Sequence, residues 1–417
     1  MYIKNKKTKK EIFKNKNQAE RKFLINSNDR QSIRDSFINP FLKSFRFHQD
    51  SILNIITHPT IKNIVFTGSS DGEICSWALH KERCIFNLKA HERSVRSLSV
   101  NYNGKFLLSC SDDNTLKLWK ILENKKNPLK TIKTETSLNI IKFNPHVSCF
   151  LTGGNSITLW DFDRFVPIQQ IFQKGVSVSS VKFNLLEHNI ILSSASDRSI
   201  KLHDLRLHSP VKKIFLEMQT NDILWSKINP WDFIVANEDS NLYTFDIRKI
   251  NQIKKVYKGH VMPVQCLDQN KKNGNIISGS LDRTIRIYSP KSDFKSDVFS
   301  SSRMARVLCV SFSSDSNLIL SGSEDGNLRV WKTPIKEETL KYNLKKEFKT
   351  NNKKHKLIND LSRFKENSFL PKLLTNIRKI KTKLENSNHL KKTRLLQNLL
   401  PGTISLKDNL KKPIIRL

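Results

Sequence analysis

Several features of membrane and secreted proteins are missing from this chain of 417 residues. No apolar run reaches the roughly eighteen residues that a membrane-spanning helix requires. The first ten residues, MYIKNKKTKK, carry charge without a following hydrophobic segment, so we expect no signal peptide. The cysteines, at positions 75, 84, 110, 149, 266 and 309, form no CxxC pair. We interpret them as reduced core thiols of an intracellular protein.

The sequence is equally poor in motifs that carry chemistry. Gly153 and Gly154 form a glycine pair, but no Lys-Ser or Lys-Thr follows to make a phosphate-binding loop. HExxH, paired metal-ligand spacing and the nucleophile elbow are missing. An RNP-type aromatic motif and a zinc knuckle are missing too, which argues against sequence-specific reading of RNA bases. We therefore expect no enzyme, no cofactor, no metal and no small-molecule substrate.

The chain does contain a repeat. In seven places an aspartate, or a residue in its place, is followed six residues later by an aromatic residue or a histidine. These closing positions are Trp77, Trp119, Trp160, His203, Phe245, Tyr288 and Trp331, and their spacings are 41 to 43 residues. A constant period near forty residues indicates one supersecondary unit copied seven times, each copy packing against its neighbours.

The text before each closing position also repeats, as in SGSEDGNLRVW (321–331), SGSLDRTIRIY (278–288), SSASDRSIKLH (193–203) and TGSSDGEICSW (67–77). A tight-turn signal followed by period-two alternation predicts a β-hairpin. The unit resembles a blade of the WD-repeat family. That resemblance implies an all-β fold, a seven-bladed WD-repeat β-propeller.

The resemblance also implies a buried hydrogen-bonded tetrad of His, Ser or Thr, Asp and Trp in individual blades. The sets that fit are His48, Thr67, Asp71 and Trp77; His91, Ser109, Asp113 and Trp119; His260, Ser278, Asp282 and Tyr288; and, in part, Ser193 with Asp197, and Ser321 with Asp325 and Trp331. A hydrolase triad would use similar residues, but catalysis needs one constellation and a scaffold needs many. Gly154 replaces Asp in the third blade and Val235 replaces Ser or Thr in the fifth. We expect those two blades to be held mainly by apolar packing.

Three segments follow from where the repeat begins and ends. Residues 1–36 are predicted to be a basic, disordered tail, and residues 37–333 the propeller. After Trp331 strand-like alternation stops, so the last blade lacks an outer strand, which residues 41–47 can supply. Closure by this strand would remove an exposed sheet edge. Residues 334–417 are predicted to form a basic, mainly α-helical extension.

The charge of the chain is concentrated at its two ends. The net charge is +35, of which residues 1–40 carry +7 and residues 332–417 carry +16. In the extension, apolar residues such as Leu373, Ile377, Ile380 and Leu384 recur at helical spacing, which predicts amphipathic helices with a lysine face. Such basic flanks fit solvated disorder, import signals such as the cluster from Lys4 to Lys10, or neutralisation of RNA phosphates.

We take the third alternative as the functional hypothesis. The candidate contacts to RNA or the pre-ribosome are Lys345, Lys346, Lys349, Lys353, Lys354, Lys356, Arg363, Lys372, Arg378, Lys379, Lys391, Lys392 and Arg394. Arg198 and Arg283, beside the turn aspartates, are further candidates for contact with RNA or an acidic protein, although exposed turn residues of this kind are usually only solvated.

A narrower resemblance covers residues from about 37 to the end. INPFLKSF (38–45), SSVKFN (179–184), SASDRSIKLHDLR (194–206) and ANEDSNLYTFDIR (236–248), with LKYNLKKEFK (340–349), FLPK (369–372) and LPGTISL (400–406), resemble the suppressor-of-fibrillarin family. Members of that family are WD-repeat proteins of the small-subunit processome, where they are associated with the U3 small nucleolar ribonucleoprotein. SRFKENSF (362–369) departs from the family pattern, because it contains no histidine.

The resemblance implies a non-catalytic scaffold of small ribosomal subunit biogenesis in the nucleus and nucleolus, supporting early processing of the 18S precursor. Its partners would be ribosomal RNA precursor, U3 small nucleolar RNA and other processome proteins, with no membrane, and the protein would be monomeric within a large complex. Two alternatives stay open. The first is a substrate receptor of a cullin-4 ubiquitin ligase, because the adaptor motif of such receptors resembles Asp204 with Arg206 and Asp246 with Arg248. The second is a generic WD-repeat protein-interaction scaffold, which would require neither this motif nor the basic flanks.

Overall fold

The computed structural model describes residues 40–333, apart from 82, 122–126, 173–175, 208, 291–295 and 302. In the extension it describes residues 376, 377, 379, 380, 382–384, 386, 387, 390 and 391, and the backbone of Ile414–Ile415. The predicted tail, 1–36, and most of the predicted extension lie outside the described residues.

Seven antiparallel sheets, here called blades, follow one another along the chain after strand β1 (Phe41–Arg46). Blade 1 has β2 (Ile52–Thr57), β3 (Ile64–Ser69), β4 (Glu73–Ala78) and β5 (Arg83–Lys89); blade 2 has β6 (Val95–Val100), β7 (Phe106–Ser111), β8 (Thr115–Lys120) and β9 (Lys130–Lys133). Blade 3 has β10 (Ile140–Phe143), β11 (Cys149–Gly153), β12 (Ser156–Asp161) and β13 (Pro167–Phe172); blade 4 has β14 (Val178–Phe183), β15 (Ile190–Ala195), β16 (Ser199–Asp204) and β17 (Pro210–Leu216).

The remaining blades repeat the pattern. Blade 5 has β18 (Thr220–Trp225), β19 (Asp232–Asn237), β20 (Leu242–Asp246) and β21 (Ile253–Tyr257); blade 6 has β22 (Val264–Gln269), β23 (Ile276–Ser280), β24 (Ile285–Tyr288) and β25 (Ser296–Phe299); blade 7 has β26 (Val307–Phe312), β27 (Leu318–Ser323) and β28 (Asn327–Lys332). The prediction of a seven-bladed β-propeller is confirmed.

Blade 7 receives its fourth strand from the beginning of the described chain. Strand β1 pairs antiparallel with β28, with Phe45 opposite Leu328, and the backbone N–H of Lys332 donates to Pro40 O (2.8 Å). The Phe41 ring packs edge-on against Trp331, with 5.2 Å between centroids. This pairing covers the backbone groups that β28 would otherwise expose.

The turn after the Asp position has the same backbone conformation in six blades. The next residue has a positive φ, between 58° and 84°: Gly72, Asn114, Arg198, Ser240, Arg283 and Gly326. At Gly72 a Cβ would lie 2.2 Å from His91 O, so only glycine fits there. The two arginines of this set, the candidate turn contacts, are exposed on this face.

The third blade departs from this turn, and the substitution expected there was wrong. Gly153 pairs with Ile157, whereas the corresponding Gly322 of blade 7 pairs with Leu328, so the turn of blade 3 is two residues shorter. Gly154 therefore does not replace an aspartate, because the Asp position is missing from the loop. A Cβ at Gly154 would lie 2.4 Å from Ser137 O, which explains the glycine by close packing.

Neighbouring blades are joined by apolar packing and by hydrogen bonds near the inner strands. Trp331 and Ile319 of blade 7, for example, lie in one buried cluster with Ile277 of blade 6. Side-chain amides and a hydroxyl also donate to the backbone of the next blade: Asn139 to Val178 O (3.0 Å), Ser179 to Thr220 O (2.9 Å) and Asn221 to Val264 O (2.9 Å). Each blade thus satisfies polar groups and buries apolar surface of the next.

The C-terminal part contributes one strand to the propeller. Strand β29 (Ile414–Ile415) pairs antiparallel with the outer strand of blade 4, with Phe215 opposite Ile415. The described positions between 376 and 391 are helical and exposed. None of the helical segments described is long and apolar enough to cross a membrane.

Candidate functional site

Blade 2 contains the complete tetrad. His91 Nδ1 donates to Asp113 Oδ2 (2.9 Å), Ser109 Oγ and His91 Nε2 are 2.7 Å apart, and Trp119 Nε1 donates to Ser109 Oγ (3.0 Å). The hydroxyl of Thr115 donates to the other carboxylate oxygen of Asp113 (2.6 Å), which fixes the carboxylate toward the histidine. Burial lowers the pKa of His91, against the opposing effect of Asp113.

Blade 6 repeats the His, Ser and Asp part of this geometry at fully buried positions. His260 Nδ1 donates to Asp282 Oδ2 (2.9 Å), and Ser278 Oγ lies 2.6 Å from His260 Nε2. Tyr288 takes the tryptophan position, with its ring edge-on to His260, but its buried hydroxyl makes no hydrogen bond to the described residues, so the predicted set is linked through three of its four residues. Burial alone would raise the pKa of Asp282, but His260 and the hydroxyl of Thr284 outweigh burial and lower the pKa to about 2.

Blade 1 brings together only three of its four predicted residues. His48 Nε2 lies 2.7 Å from Thr67 Oγ1, to which Trp77 Nε1 also donates (2.8 Å). Asp71 instead accepts the backbone N–H of Asp50 (2.8 Å). The reason lies two residues further on, where blades 2 and 6 have a threonine that holds the aspartate and blade 1 has Glu73, a like charge. The prediction that Asp71 joins this set is corrected accordingly.

Blades 4 and 7 have the Ser or Thr and Asp positions but hold the aspartate with a cation. In blade 4 Ser193 Oγ lies 3.0 Å from His203 Nε2, while Asp197 pairs with Lys201 (3.5 Å). In blade 7 Trp331 Nε1 donates to Ser321 Oγ (2.9 Å), and Arg329, 3% exposed, pairs with Asp325. Burial opposes ionisation of Asp325, but hydrogen bonds from Arg329 and Ser323 lower its pKa to about 2.

The position of these cations could have been predicted from the sequence. The residue two places before the closing aromatic or histidine is Lys117, Lys201, Arg286 or Arg329 in blades 2, 4, 6 and 7. In a strand this position shares a face with the closing residue, so it lies beside the turn aspartate. Where the histidine is missing, as in blade 7, this residue supplies the positive charge.

Blades 3 and 5 are closed in other ways. In blade 3 Trp160 Nε1 donates to Thr152 Oγ1 (2.9 Å), so a polar link persists there. In blade 5 the rings of Phe233 and Phe245 stack at 5.3 Å beside Val235. The turn aspartate of this blade, Asp239, accepts a hydrogen bond from the hydroxyl of Tyr243. Apolar packing therefore dominates in blade 5 but only partly in blade 3.

The His, Ser and Asp sets are unsuited to catalysis. The serines of blades 2 and 6, Ser109 and Ser278, have no exposed surface, so no substrate can reach them. Among the described residues His48, Glu73 and Cys75 place one possible metal-ligand atom each within 4.8 Å of one another. A hydrogen bond with Cys84 and burial raise the pKa of the Cys75 thiol, however, which disfavours the thiolate that a metal requires.

The two Asp-x-Arg elements form local ion pairs at the ends of β16 and β20. Arg206 donates to both oxygens of Asp204 (3.0 and 2.9 Å), and Arg248 to both of Asp246 (3.2 and 3.1 Å). Both arginine side chains are 68% exposed. The hydrogen bonds lower the pKa of each aspartate.

A basic cleft lies on the rim between blades 4 and 5. Its lining residues are Lys212, Lys213, Arg248, Lys249, Ile250, Asn251 and Gln252, around a volume of about 580 Å³. Lys212 Nζ donates to Ile247 O of blade 5 (3.0 Å), so the cleft bridges two blades. It was not foreseen, because its charges come from separate blades.

Of the candidate contacts in the extension, Lys379 and Lys391 are described and exposed. The others lie outside the described residues: Lys345, Lys346, Lys349, Lys353, Lys354, Lys356, Arg363, Lys372, Arg378, Lys392 and Arg394. The apolar residues Ile377, Ile380 and Leu384 of the helical segment are 44 to 60% exposed.

Comparison with known proteins agrees with the fold and identifies the family. Residues 82–120, 251–289 and 296–332 match the WD domain, G-beta repeat. Protein SOF1 of Saccharomyces cerevisiae is 34% identical over 330 residues, 73% of this chain and 68% of that protein. The chain belongs to the SOF1 family.

Other members of this family have a second name. The DDB1- and CUL4-associated factor 13 of Xenopus tropicalis is 35% identical over 306 residues, 72% of this chain and 69% of that protein. The Homo sapiens protein of that name is 32% identical over 393 residues, 91% of this chain and 87% of that protein. The WD40 propeller of Doa1, with TM-score 0.61 and 18% identity, covers 70% of this chain and 97% of that structure, and is similar in fold. The family is one of WD-propeller scaffolds.

Proposed function

We propose that this protein is a scaffold of small ribosomal subunit biogenesis, acting in the U3-containing processome in the nucleolus. Its propeller would dock processome proteins, and its basic extension would contact the 18S precursor and U3 RNA, mainly through phosphates. Membership of the SOF1 family supports this role. Buried, closed polar sets in the blades support a binding role over catalysis.

The observation that carries the proposal is the length of the family match. The 393 residues aligned with the human relative are more than the propeller, residues 40–333, contains. A generic WD scaffold would match over its propeller alone. The exposed apolar side chains and lysines of the helical segment supply a surface that a partner can cover, since an isolated amphipathic helix is marginal in water.

The test is affinity purification of the tagged full-length chain from cells, followed by sequencing of bound RNA. U3 RNA and 18S precursor are expected to be enriched, and deletion of residues 340–417 should abolish that enrichment. Deletion of residues 1–36 is the control, because it leaves the propeller and extension in place. Absence of both RNAs from the full-length sample, with the protein outside the nucleolus, would contradict the proposal.

A second candidate is substrate receptor of a cullin-4 ubiquitin ligase. It is favoured by the name of the DDB1- and CUL4-associated relatives and by two exposed Asp-x-Arg elements in consecutive blades. Charge reversal at Arg206 and Arg248 should then abolish co-purification of DDB1. If DDB1 does not co-purify with the unmodified chain, or if the reversal has no effect, this candidate is excluded.

A further inference from the structure

The basic cleft between blades 4 and 5 has an excess of positive charge in the folded propeller. Four of its seven lining residues are cationic and none is acidic. Asp246 pairs with Arg248, and Asp197 lies 3.8 Å from Lys213. Lys212 donates to a backbone carbonyl, and Lys249 has no ion-pair partner among the described residues. The cleft therefore suits an anionic ligand.

An exposed tryptophan lies beside this cleft. Trp231, in the loop between β18 and β19, is 45% exposed, and the guanidinium of Arg248 lies 5.8 Å from its ring centroid. The backbone N–H of Ile247 donates to Trp231 O (3.0 Å), which fixes this loop against the loop that supplies Arg248 and Lys249. Cations next to an exposed aromatic ring are typical of single-stranded nucleic-acid sites, where bases stack on the ring.

We propose that this cleft binds a single-stranded RNA segment, with phosphates at Lys212, Lys213 and Lys249 and a base stacked on Trp231. The inference deepens the proposed function by assigning RNA contact to the propeller as well as to the extension. The chain's own extension pairs with β17 at Phe215 and Leu216, beside the cleft, but the net charge of +16 on residues 332–417 makes it a poor occupant of the cleft itself. An acidic protein segment is less suitable, because the guanidinium fork of Arg248 is already used on Asp246. The lysines that remain are point charges, which suit phosphates.

The test uses the purified full-length chain and a fluorescent, 4-thiouridine-containing single-stranded RNA of about 12 nucleotides, within the site sizes of single-strand binders. The Lys212→Gln/Lys249→Gln variant should bind about tenfold more weakly at low salt, with a salt slope shallower by roughly 1.4, as expected for two lost phosphate contacts. The control variant, Lys89→Gln/Lys133→Gln, makes the same charge change on the exposed outer strands of blades 1 and 2. It should keep the slope of the unmodified chain.

Stacking is tested separately. Trp231→Ala should weaken binding by about fivefold or more, and Trp231→Phe should restore most of the affinity. The peptide containing Trp231 should crosslink to the RNA. Equal binding by the cleft and control variants, or absence of that crosslink, would overturn the inference. Protection of the cleft by a poly-glutamate peptide and not by RNA would also overturn it, assigning the cleft to an acidic protein segment. Because the assay contains only protein and RNA, its failure is distinguishable from failure to join the pre-ribosome in cells.

Discussion

Blades 5 and 6 are neighbours that solve the same structural problem with different chemistry. Blade 6 buries a polar chain from Ser278 through His260 to Asp282, whereas blade 5 has Val235 at the serine position and stacks Phe233 on Phe245. The strand order is the same in both blades. The polar chain is therefore one of several ways to close a blade in this ring, and this is what identifies it as architecture.

The two arrangements differ in how much stability the blade loses when one side chain is substituted. A buried carboxylate or imidazole is stable only with its partner, so removing one group leaves the other unpaired at a cost of several kcal/mol, about 3 to 5. Stacked rings lose contact area in proportion to what is removed. Blade 6 is thus expected to be sensitive to single polar substitutions, and blade 5 to be tolerant of them.

The largest effect is expected for Asp282→Ala in blade 6. It leaves His260 without its carboxylate and should lower the free energy of unfolding by about 3 to 5 kcal/mol. Thermal unfolding followed by circular dichroism should show a Tm lower by about 10 °C for a domain of this size. A change below about 1 kcal/mol would mean that the polar chain is dispensable.

The next effect concerns pH. The pKa of Asp282 is about 2 in the folded protein, below its value near 3.9 in an unfolded chain, so folding favours the ionised form. Its contribution of roughly 2 to 3 kcal/mol is complete above about pH 4 and is lost as the pH falls through about 2. Urea unfolding at pH 5 and pH 3 should show the difference between wild type and Asp282→Asn shrinking at the lower pH. A difference that is constant or grows at pH 3 would contradict the assigned pairing.

Blade 7 should lie between the two. Arg329→Met removes the buried partner of Asp325, whose own side chain is 22% exposed and keeps its bond from Ser323. Because water can partly solvate the carboxylate, a loss of about 2 kcal/mol is expected. Urea unfolding of this variant beside Asp282→Ala gives the ranking. A larger loss in blade 7 than in blade 6 would reverse our order of importance.

The smallest effect is expected in blade 5 itself. Asp239→Ala removes the acceptor of the Tyr243 hydroxyl and of the Asn241 backbone N–H at a half-buried site that water can reach, so a loss of about 1 kcal/mol is expected. The substitution is matched to Asp282→Ala, since both remove the turn aspartate of adjacent blades. Equal losses in differential scanning calorimetry would remove the distinction between the two ways of closing a blade.

The repeat in the sequence was sufficient to predict the ring, because forty-residue periodicity and turn chemistry both act locally. The tetrad of blade 2 and the His, Ser and Asp set of blade 6 follow from the same pattern. The prediction for Asp71 was wrong because the hydrogen-bond partner of its carboxylate depends on the residue two positions later, which is Glu73 in blade 1. Blades 2 and 6 have threonine at that position, in Asp-Asn-Thr and Asp-Arg-Thr, and this difference is visible in the sequence. The basic cleft could not be predicted, since it forms only where β17 meets a loop of the next blade.

The measurement that tests the central claim most directly is incorporation of Asp282→Asn into U3-containing particles, at a temperature where circular dichroism shows the variant fully folded. If the interior of the blades is architecture and binding belongs to the outer surfaces, its incorporation should equal that of wild type although its Tm is lower. Reduced incorporation of the fully folded variant would show that the polar chain takes part in function and would contradict this account.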